Sequence, residues 1–68
     1  MEAMDWTPLD FRSARVHARL TQAKVAAALG ISQTTLSRFE VGKDNALTPA
    51  QRLEFMRLIL KAQKSEGG

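Results

Sequence analysis

Residues 21–40 of this 68-residue chain read TQAKVAAALGISQTTLSRFE and carry its clearest structural signals. Its apolar residues recur at helical spacing on both sides of a glycine, at Val25, Ala26, Leu29, Ile31, Leu36 and Phe39. Gly30 lies where a first helix must end, because glycine adopts a left-handed backbone conformation without steric cost. Ser32 can cap a second helix through its hydroxyl. The stretch therefore predicts two short helices packed against each other across a tight turn.

The outward side of the second of these helices carries polar side chains, namely Gln33, Thr34, Ser37 and Arg38. In the major groove of DNA, an amide can pair with the edge of adenine and a guanidinium with the edge of guanine. Thr34 offers a methyl group to thymine, and Ser37 is short enough to contact a base or a phosphate. Such residues also fit an ordinary solvated helix face, but the turn and the inward apolar pattern favour recognition of base sequence. We therefore predict a sequence-specific DNA-binding domain in which these four residues read bases.

Positive charge is concentrated around this stretch. Residues 11–43 hold six basic residues and one acid, a net charge of +5, whereas the rest of the chain carries −2 within an overall +3. A surface that binds phosphates requires such a concentration, although a basic segment by itself also fits a solvated face. The predicted phosphate contacts are Gln22, Lys24, Thr35, Lys43 and Asn45. Gln22 can donate from its amide beside the free N–H groups at the start of its helix.

Composition argues against several other classes of protein. The chain has no cysteine, which excludes disulfides and thiolate metal sites, and its single histidine, His17, makes no recognisable ligand set. No pair of acids has the apolar flanks that would tune a general acid, and there is no glycine-rich phosphate loop. The chain has no apolar run of membrane-spanning length and no signal-peptide pattern. We therefore predict a cytoplasmic, nucleoid-associated protein without enzymatic activity, cofactor or metal.

Capping signals divide the chain into four helices. Thr-Pro pairs open the first, expected at 8–19, and the fourth, expected at 49–63. Trp6 and Phe11 have the spacing of a hydrophobic staple, and the same pattern recurs at the second and third helix starts. Residues 43–46 are predicted to form a polar loop.

The predicted fold is all-α, a compact bundle of four helices, or five if an element is not evident in the sequence. It spans residues 7–64, between a flexible arm at 1–6 and a disordered tail at 65–68. Its predicted core consists of Phe11, Leu20, Val25, Leu29, Ile31, Leu36, Phe39, Leu53, Met56 and Leu60.

The fourth helix is more apolar than a small domain requires. Beside its predicted core face, Phe55 and Ile59 widen the apolar arc to roughly 160°, and Leu58 lies beyond it. A wholly intramolecular core is one explanation. The surplus favours a second partner surface, most simply a second copy of the chain. We therefore predict a homodimer formed through Phe55, Leu58 and Ile59.

The central stretch resembles the signature of the Cro/C1-type helix-turn-helix domains, the lambda-repressor-like family. The residues that carry the resemblance are Gln22, Ala26, Leu29, Gly30, Ile31, Leu36 and Phe39. It extends over roughly residues 11–60 and implies a compact bundle of four or five helices. Residues 21–23, 32–35 and 38–40 are also similar to the POU-specific domain, a eukaryotic relative. That domain has a longer connection than the turn at 30–32, so a bacterial or phage regulator is the better expectation.

The resemblance implies a role for several residues. Gln33, Thr34 and Arg38 would read bases, while Gln22 would grip a phosphate and brace the recognition glutamine. Arg15 and Glu40 match positions that form an ion pair in many relatives.

The function implied is a transcriptional regulator, most simply a repressor that binds a palindromic operator as a homodimer. Two alternatives stay open. One is an antitoxin that autoregulates its promoter and also binds a toxin or a larger regulatory partner. The other is a protein-interaction adaptor that keeps the fold without binding DNA.

Overall fold

The computed structural model describes residues 6–67, with the backbone alone for residues 44 and 65–67. These residues form α1 (Pro8–His17), α2 (Gln22–Leu29), α3 (Gln33–Glu40) and α4 (Pro49–Gly67), with a 3-10 helix, Asp44–Ala46, before α4. Every regular element in this part of the chain is helical, which confirms the predicted all-α fold of four helices. The 3-10 helix takes the place of the polar loop expected at 43–46.

The start of each helix is fixed by the cap that the sequence predicts. The Thr7 hydroxyl accepts a hydrogen bond from the Asp10 N–H at 3.2 Å, and the Asp10 carboxylate accepts one from the Thr7 N–H at 2.9 Å. A reciprocal pair of the same kind opens α4 at Thr48. Thr21 and Ser32 cap α2 and α3 through hydroxyls that accept from the N–H three residues later. Each cap contributes about 1 kcal/mol to helix stability.

Two helix ends differ from the prediction. α1 ends at His17 instead of continuing to Arg19, because Arg19 takes a left-handed φ of 61°. The Leu20 N–H then donates to the Arg15 carbonyl at 3.1 Å, which closes the helix. α4 runs past residue 63 to Gly67, since neither proline nor glycine interrupts the chain before that residue. The helix therefore includes residues 65–67 of the predicted tail, and residue 68 lies outside the described residues.

Three phenylalanines from different helices form the centre of the core. Phe11 of α1, Phe39 of α3 and Phe55 of α4 are all fully buried. Their ring centroids are 5.4 Å apart for Phe11 and Phe39, 4.9 Å for Phe11 and Phe55, and 6.3 Å for Phe39 and Phe55. Aromatic rings at these separations attract each other, and this attraction adds to the free energy gained by burying their apolar surface.

Trp6 adds an edge-on contact to this cluster, with its ring centroid 5.0 Å from that of Phe11. It packs against the core as the predicted hydrophobic staple requires. Trp6 therefore belongs to the folded domain and not to the arm predicted at 1–6. The other residues of that arm lie outside the described residues.

The remaining core residues surround the three rings. Buried here are Ala18, Val25, Ala26, Leu36, Leu47 and Ile59, and packed against them are the half-buried Leu20, Leu29, Ile31, Met56 and Leu58. Leu47, just before α4, was not predicted as a core residue.

α4 turns a different face to the core than the sequence predicts. Phe55 and Ile59, predicted as dimer surface, are fully buried, whereas Leu53 and Leu60, predicted as core, are 44% and 48% exposed. Both predictions are wrong for one reason: the apolar arc is wider than the face that the rest of the domain covers. The face is chosen by the Phe55 ring, which packs against the other two phenylalanines. Of the predicted dimer residues, Leu58 alone keeps exposed area.

A buried ion pair joins α1 to α3. The Arg15 Nε donates to the Glu40 Oε2 at 2.6 Å, and its Nη2 donates to Oε1 at 3.1 Å. The third nitrogen, Nη1, donates to the Leu20 carbonyl at 2.7 Å. Exposed fractions are 11% for the Arg15 side chain and 1% for that of Glu40. Because the pair is bidentate and out of water, removing one partner leaves the other charge buried and uncompensated.

Glu40→Ala is expected to lower the free energy of unfolding by about 3–5 kcal/mol, since it leaves Arg15 without its partner. Thermal unfolding followed by circular dichroism would show a large fall in Tm or no folded state. The control is the double variant Arg15→Met/Glu40→Leu, which removes both charges at similar volume and should unfold at a higher temperature than Glu40→Ala. An unchanged Tm for Glu40→Ala would contradict a structural role for the pair.

Ile59→Ala and Leu60→Ala form a matched pair that tests the face of α4. Ile59 is fully buried, so its truncation should cost about 2–5 kcal/mol of stability. Leu60 is half exposed and should cost well under half as much. Chemical denaturation of both variants measures the difference. Equal losses of stability, or a larger loss for Leu60→Ala, would show that α4 buries the face predicted from the sequence.

Candidate nucleic-acid interface

The turn between α2 and α3 holds the two helices in a fixed relation. Gly30 ends α2 with a left-handed φ of 71°, where any side chain would be strained. The Gly30 N–H donates to the Ala27 carbonyl at 3.2 Å, and the Ile31 N–H donates to the Ala26 carbonyl at 3.0 Å. These bonds satisfy two of the last four carbonyls of α2 within the turn itself. Ser32 caps α3 immediately afterwards, so only three residues separate the helices.

α3 has one packed side and one outward side. The packed side consists of Leu36, Phe39 and Glu40, all buried. On the other side lie the four predicted base-reading residues: Gln33, Thr34 and Arg38 are exposed, and Ser37 is half-buried. Because the packed residues fix the rotation of α3 about its axis, they also determine which side chains face outward.

A shallow groove runs between the start of α2 and the outward side of α3. The residues that line it are Gln22, Gln33, Thr34, Ser37, Arg38 and Val41. The structure therefore brings together all four predicted base-reading residues and one of the predicted phosphate contacts. Two amides, two hydroxyls and a guanidinium in one open groove provide donors and acceptors suited to the edges of base pairs.

Gln22 is held in this groove by the buried ion pair. Its Nε2 donates to the Glu40 Oε1 at 3.0 Å, the same oxygen that accepts from Arg15. The carboxylate therefore orients the Gln22 amide, whose oxygen and second N–H group remain available. The sequence resemblance implies that Gln22 braces Gln33, whereas the contact of its side chain in the structure is with Glu40.

The other predicted phosphate contacts do not line the groove. Lys24, Lys43 and Asn45 are exposed at the start of α2 and after α3. Thr35 is half-buried, and its hydroxyl lies 2.8 Å from the Ser32 hydroxyl within the cap of α3. This side chain therefore already takes part in capping the helix.

Because Glu40 is buried and paired, its negative charge contributes little to the electrostatic potential at the surface of the groove. Glu40 is the single acid of residues 11–43, and a free carboxylate beside the groove would repel a polyanion. Its 1% exposure and its pairing with Arg15 neutralise it inside the domain. The charged side chain that lines the groove is then the cation Arg38.

Val41 is the groove residue that sequence reasoning missed. A signal was present, because Val41 follows Ser37 by four residues and Arg38 by three, which are the spacings of one helix face.

The part of the chain that the structure describes contains neither a cluster of metal ligands nor a membrane-spanning helix. No three His, Cys, Asp or Glu side chains lie together there as a metal site would require. No helix of this segment has both the length and the apolarity needed to cross a bilayer.

Comparison with known proteins places this geometry in a family. A family model described as helix-turn-helix matches residues 11–50, which is more than half of the 68-residue chain. No curated protein and no solved structure matches the chain. The matched segment contains the ion pair, the turn and the whole of α3. The chain belongs to the Cro/C1-type helix-turn-helix family, whose members are DNA-binding transcriptional regulators.

Proposed function

We propose that this chain is a sequence-specific repressor of Cro/C1 type that binds a palindromic operator in the major groove as a homodimer. The observation that carries the proposal is the groove between α2 and α3, in which an amide and a guanidinium face outward from a helix whose other side is packed. An α-helix of about 10–12 Å diameter fits a major groove about 12 Å wide.

Each outward residue of α3 has an assigned partner on DNA. Gln33, at the first turn, pairs with both hydrogen-bonding groups of an adenine edge, and Arg38 makes a bidentate contact with guanine. Thr34 contacts a thymine methyl group with its own methyl. Ser37 contacts a base or a neighbouring phosphate.

Phosphate contacts fix the domain on the duplex. Gln22 donates to a phosphate from the amide N–H that Glu40 leaves available. Lys24, Lys43 and Asn45 are exposed on either side of the groove and reach the flanking backbone. Thr35 contacts a phosphate through the hydroxyl that it shares with the cap of α3.

Two copies bind the two half-sites of the operator. Their α3 helices would lie about 34 Å apart, in successive major grooves on one face of the DNA. The described part of one molecule measures 33 × 25 × 18 Å, so two molecules side by side meet this spacing without a linker. The contact between them does not use Phe55 or Ile59, because both belong to the core.

The proposed role determines where the protein acts and what it needs. A regulator that binds an operator acts on the chromosome, so we place it in the cytoplasm on the nucleoid. Operator binding through side chains requires neither a cofactor nor a catalytic residue, in keeping with a family of regulators.

An antitoxin is the second candidate. It would use the same groove on its own promoter, and the half-exposed Leu53 and Leu60 on α4 would contribute to a toxin-binding surface. Co-purification of a second protein from the native host distinguishes it from a repressor acting alone. An adaptor that does not bind DNA would have no need of Gln33 and Arg38 in one groove.

Selection of bound sites from random duplexes, followed by sizing of the complex, tests the main proposal. We expect a palindromic site with an adenine and a guanine in each half, bound by two copies of the chain. A purified protein that binds all duplexes equally, or binds none, would refute it.

Arg38→Ala is expected to weaken binding to the selected site by about 1–3 kcal/mol and to relax discrimination at one base pair, because the bidentate contact is lost. Fluorescence anisotropy on the selected site and on each single-base variant measures both effects. Arg57→Ala, an exposed arginine on α4, is the matched control and should leave discrimination intact. Equal losses on specific and random DNA for Arg38→Ala would show that it does not read a base.

Lys43→Ala should weaken binding to all duplexes to a similar extent, since a phosphate contact carries no base information. The slope of log K against log salt should fall by about one ion for each copy bound. Lys61→Ala, exposed on α4, is the control. A change in base preference without a change in slope would argue against the phosphate assignment.

A further inference from the structure

Val41 is an exposed apolar residue at the end of α3, where it lines the polar groove on one side and a depression shared with Pro8 and Leu9 of α1 on the other. It is 75% exposed, more than any other large apolar side chain of the described residues. Its backbone is held at the end of α3, since the Val41 N–H donates to the Ser37 carbonyl at 3.2 Å. The following Gly42 N–H donates to the Phe39 carbonyl at 3.0 Å. The valine therefore stands at a fixed point on the surface.

The fold itself does not account for a valine at this position. Val41 is absent from the apolar residues that pack on the core. Its φ of −94° suits any residue, and the left-handed position that closes the helix is Gly42, with φ 118°. Single exposed apolar residues are common on proteins and need no function. This one differs because it lines the groove of the proposed base-reading residues.

The position of Val41 around α3 is central to the outward face. At about 100° per residue, and counting from Gln33, Ser37 lies near 40°, Thr34 near 100° and Arg38 near 140°. Val41 lies near 80°, between these polar side chains. The packed residues of α3 lie on the opposite side. A surface that covers the outward side of α3 along its whole length therefore also covers Val41.

We propose that Val41 is a further base-reading residue, which contacts the C5-methyl group of a pyrimidine, either thymine or 5-methylcytosine. This inference rests on the proposed function. The C5-methyl group is the apolar feature that a base pair presents in the major groove, and a side chain without donors or acceptors can discriminate by it. The branched Val41 side chain is stiff at χ1, so contact costs it little rotamer freedom.

The length of α3 allows this contact. Eight residues make a helix of about 12 Å, so an α3 that lies lengthwise in the major groove has base pairs beside both of its ends. Val41 lies about 10 Å along the axis from Thr34, which corresponds to about three base-pair steps. It therefore reads a different base pair from the residues of the first turn.

The test removes single methyl groups from the DNA and changes the apolar side chain of Val41. In the duplex obtained by site selection, each thymine is replaced in turn by uracil, which lacks only the C5-methyl group. A parallel series compares cytosine with 5-methylcytosine at the pyrimidine positions. Dissociation constants are measured by anisotropy for the natural chain, Val41→Ala, Val41→Thr and Thr34→Ser.

For the natural chain, we expect one methyl removal in each half-site that weakens binding roughly fourfold through Val41. Val41→Ala should bind the duplex that carries this methyl group roughly fourfold more weakly than the natural chain does. Removing the methyl group from the DNA should then weaken its binding no further. Thr34→Ser should still show the full loss of binding when the methyl group opposite Val41 is removed from the DNA. The methyl group that this variant lacks lies at a different position of α3. A response to uracil identifies thymine as the target, and a response confined to the cytosine series identifies 5-methylcytosine.

Folding is controlled by measuring Tm, which should not change for either Val41 variant, given the exposure of this side chain. If Val41→Ala and Val41→Thr both retain every methyl effect of the natural chain, the proposal is wrong. It is also wrong if they weaken all duplexes equally, as a contact with the backbone or a role in binding another protein would predict. The proposed function survives both results as long as the natural chain prefers the selected duplex over random DNA.

Discussion

The ion pair between Arg15 and Glu40 is the interaction on which the rest of this small domain depends. It joins the end of α1 to the end of α3, and through the shared Oε1 atom it also holds Gln22 at the start of α2. Replacing such a pair with apolar residues often costs no stability, so stability alone is a weak reason for its presence. We infer that the main role of the pair is to position the helices that it joins. A bidentate pair has one good geometry, and that geometry fixes three helices relative to one another.

Fixing α3 from the inside leaves its outward side independent of the fold. Leu36, Phe39 and Glu40 are buried against the rest of the domain, while Gln33, Thr34 and Arg38 face the groove and are exposed. Preorganisation of this kind lowers the entropy lost on binding, because the rotation of α3 about its axis is already fixed in the free protein. It also allows the outward residues to change without loss of the fold, so one scaffold can serve many base sequences.

Charge is arranged to the same end. A buried arginine needs an acid as its partner, because an unpaired buried charge is strongly destabilising. Placing that acid beside the groove would oppose a polyanion if it were solvated. Burial beneath the Gln22 amide resolves the conflict, since the surface then presents an amide where the carboxylate would lie. The groove keeps its positive character through Arg38.

The four helix starts, the turn at Gly30 and the outward residues of α3 could all be predicted from the sequence. They depend on signals that act within about four residues, such as caps, glycine conformation and helical spacing. The buried side of α4 could not be predicted, because its apolar arc exceeds what one neighbour covers and the distant Phe11 and Phe39 rings select Phe55. The partner of Gln22 likewise depended on a contact 18 residues away in the chain, which no local pattern encodes.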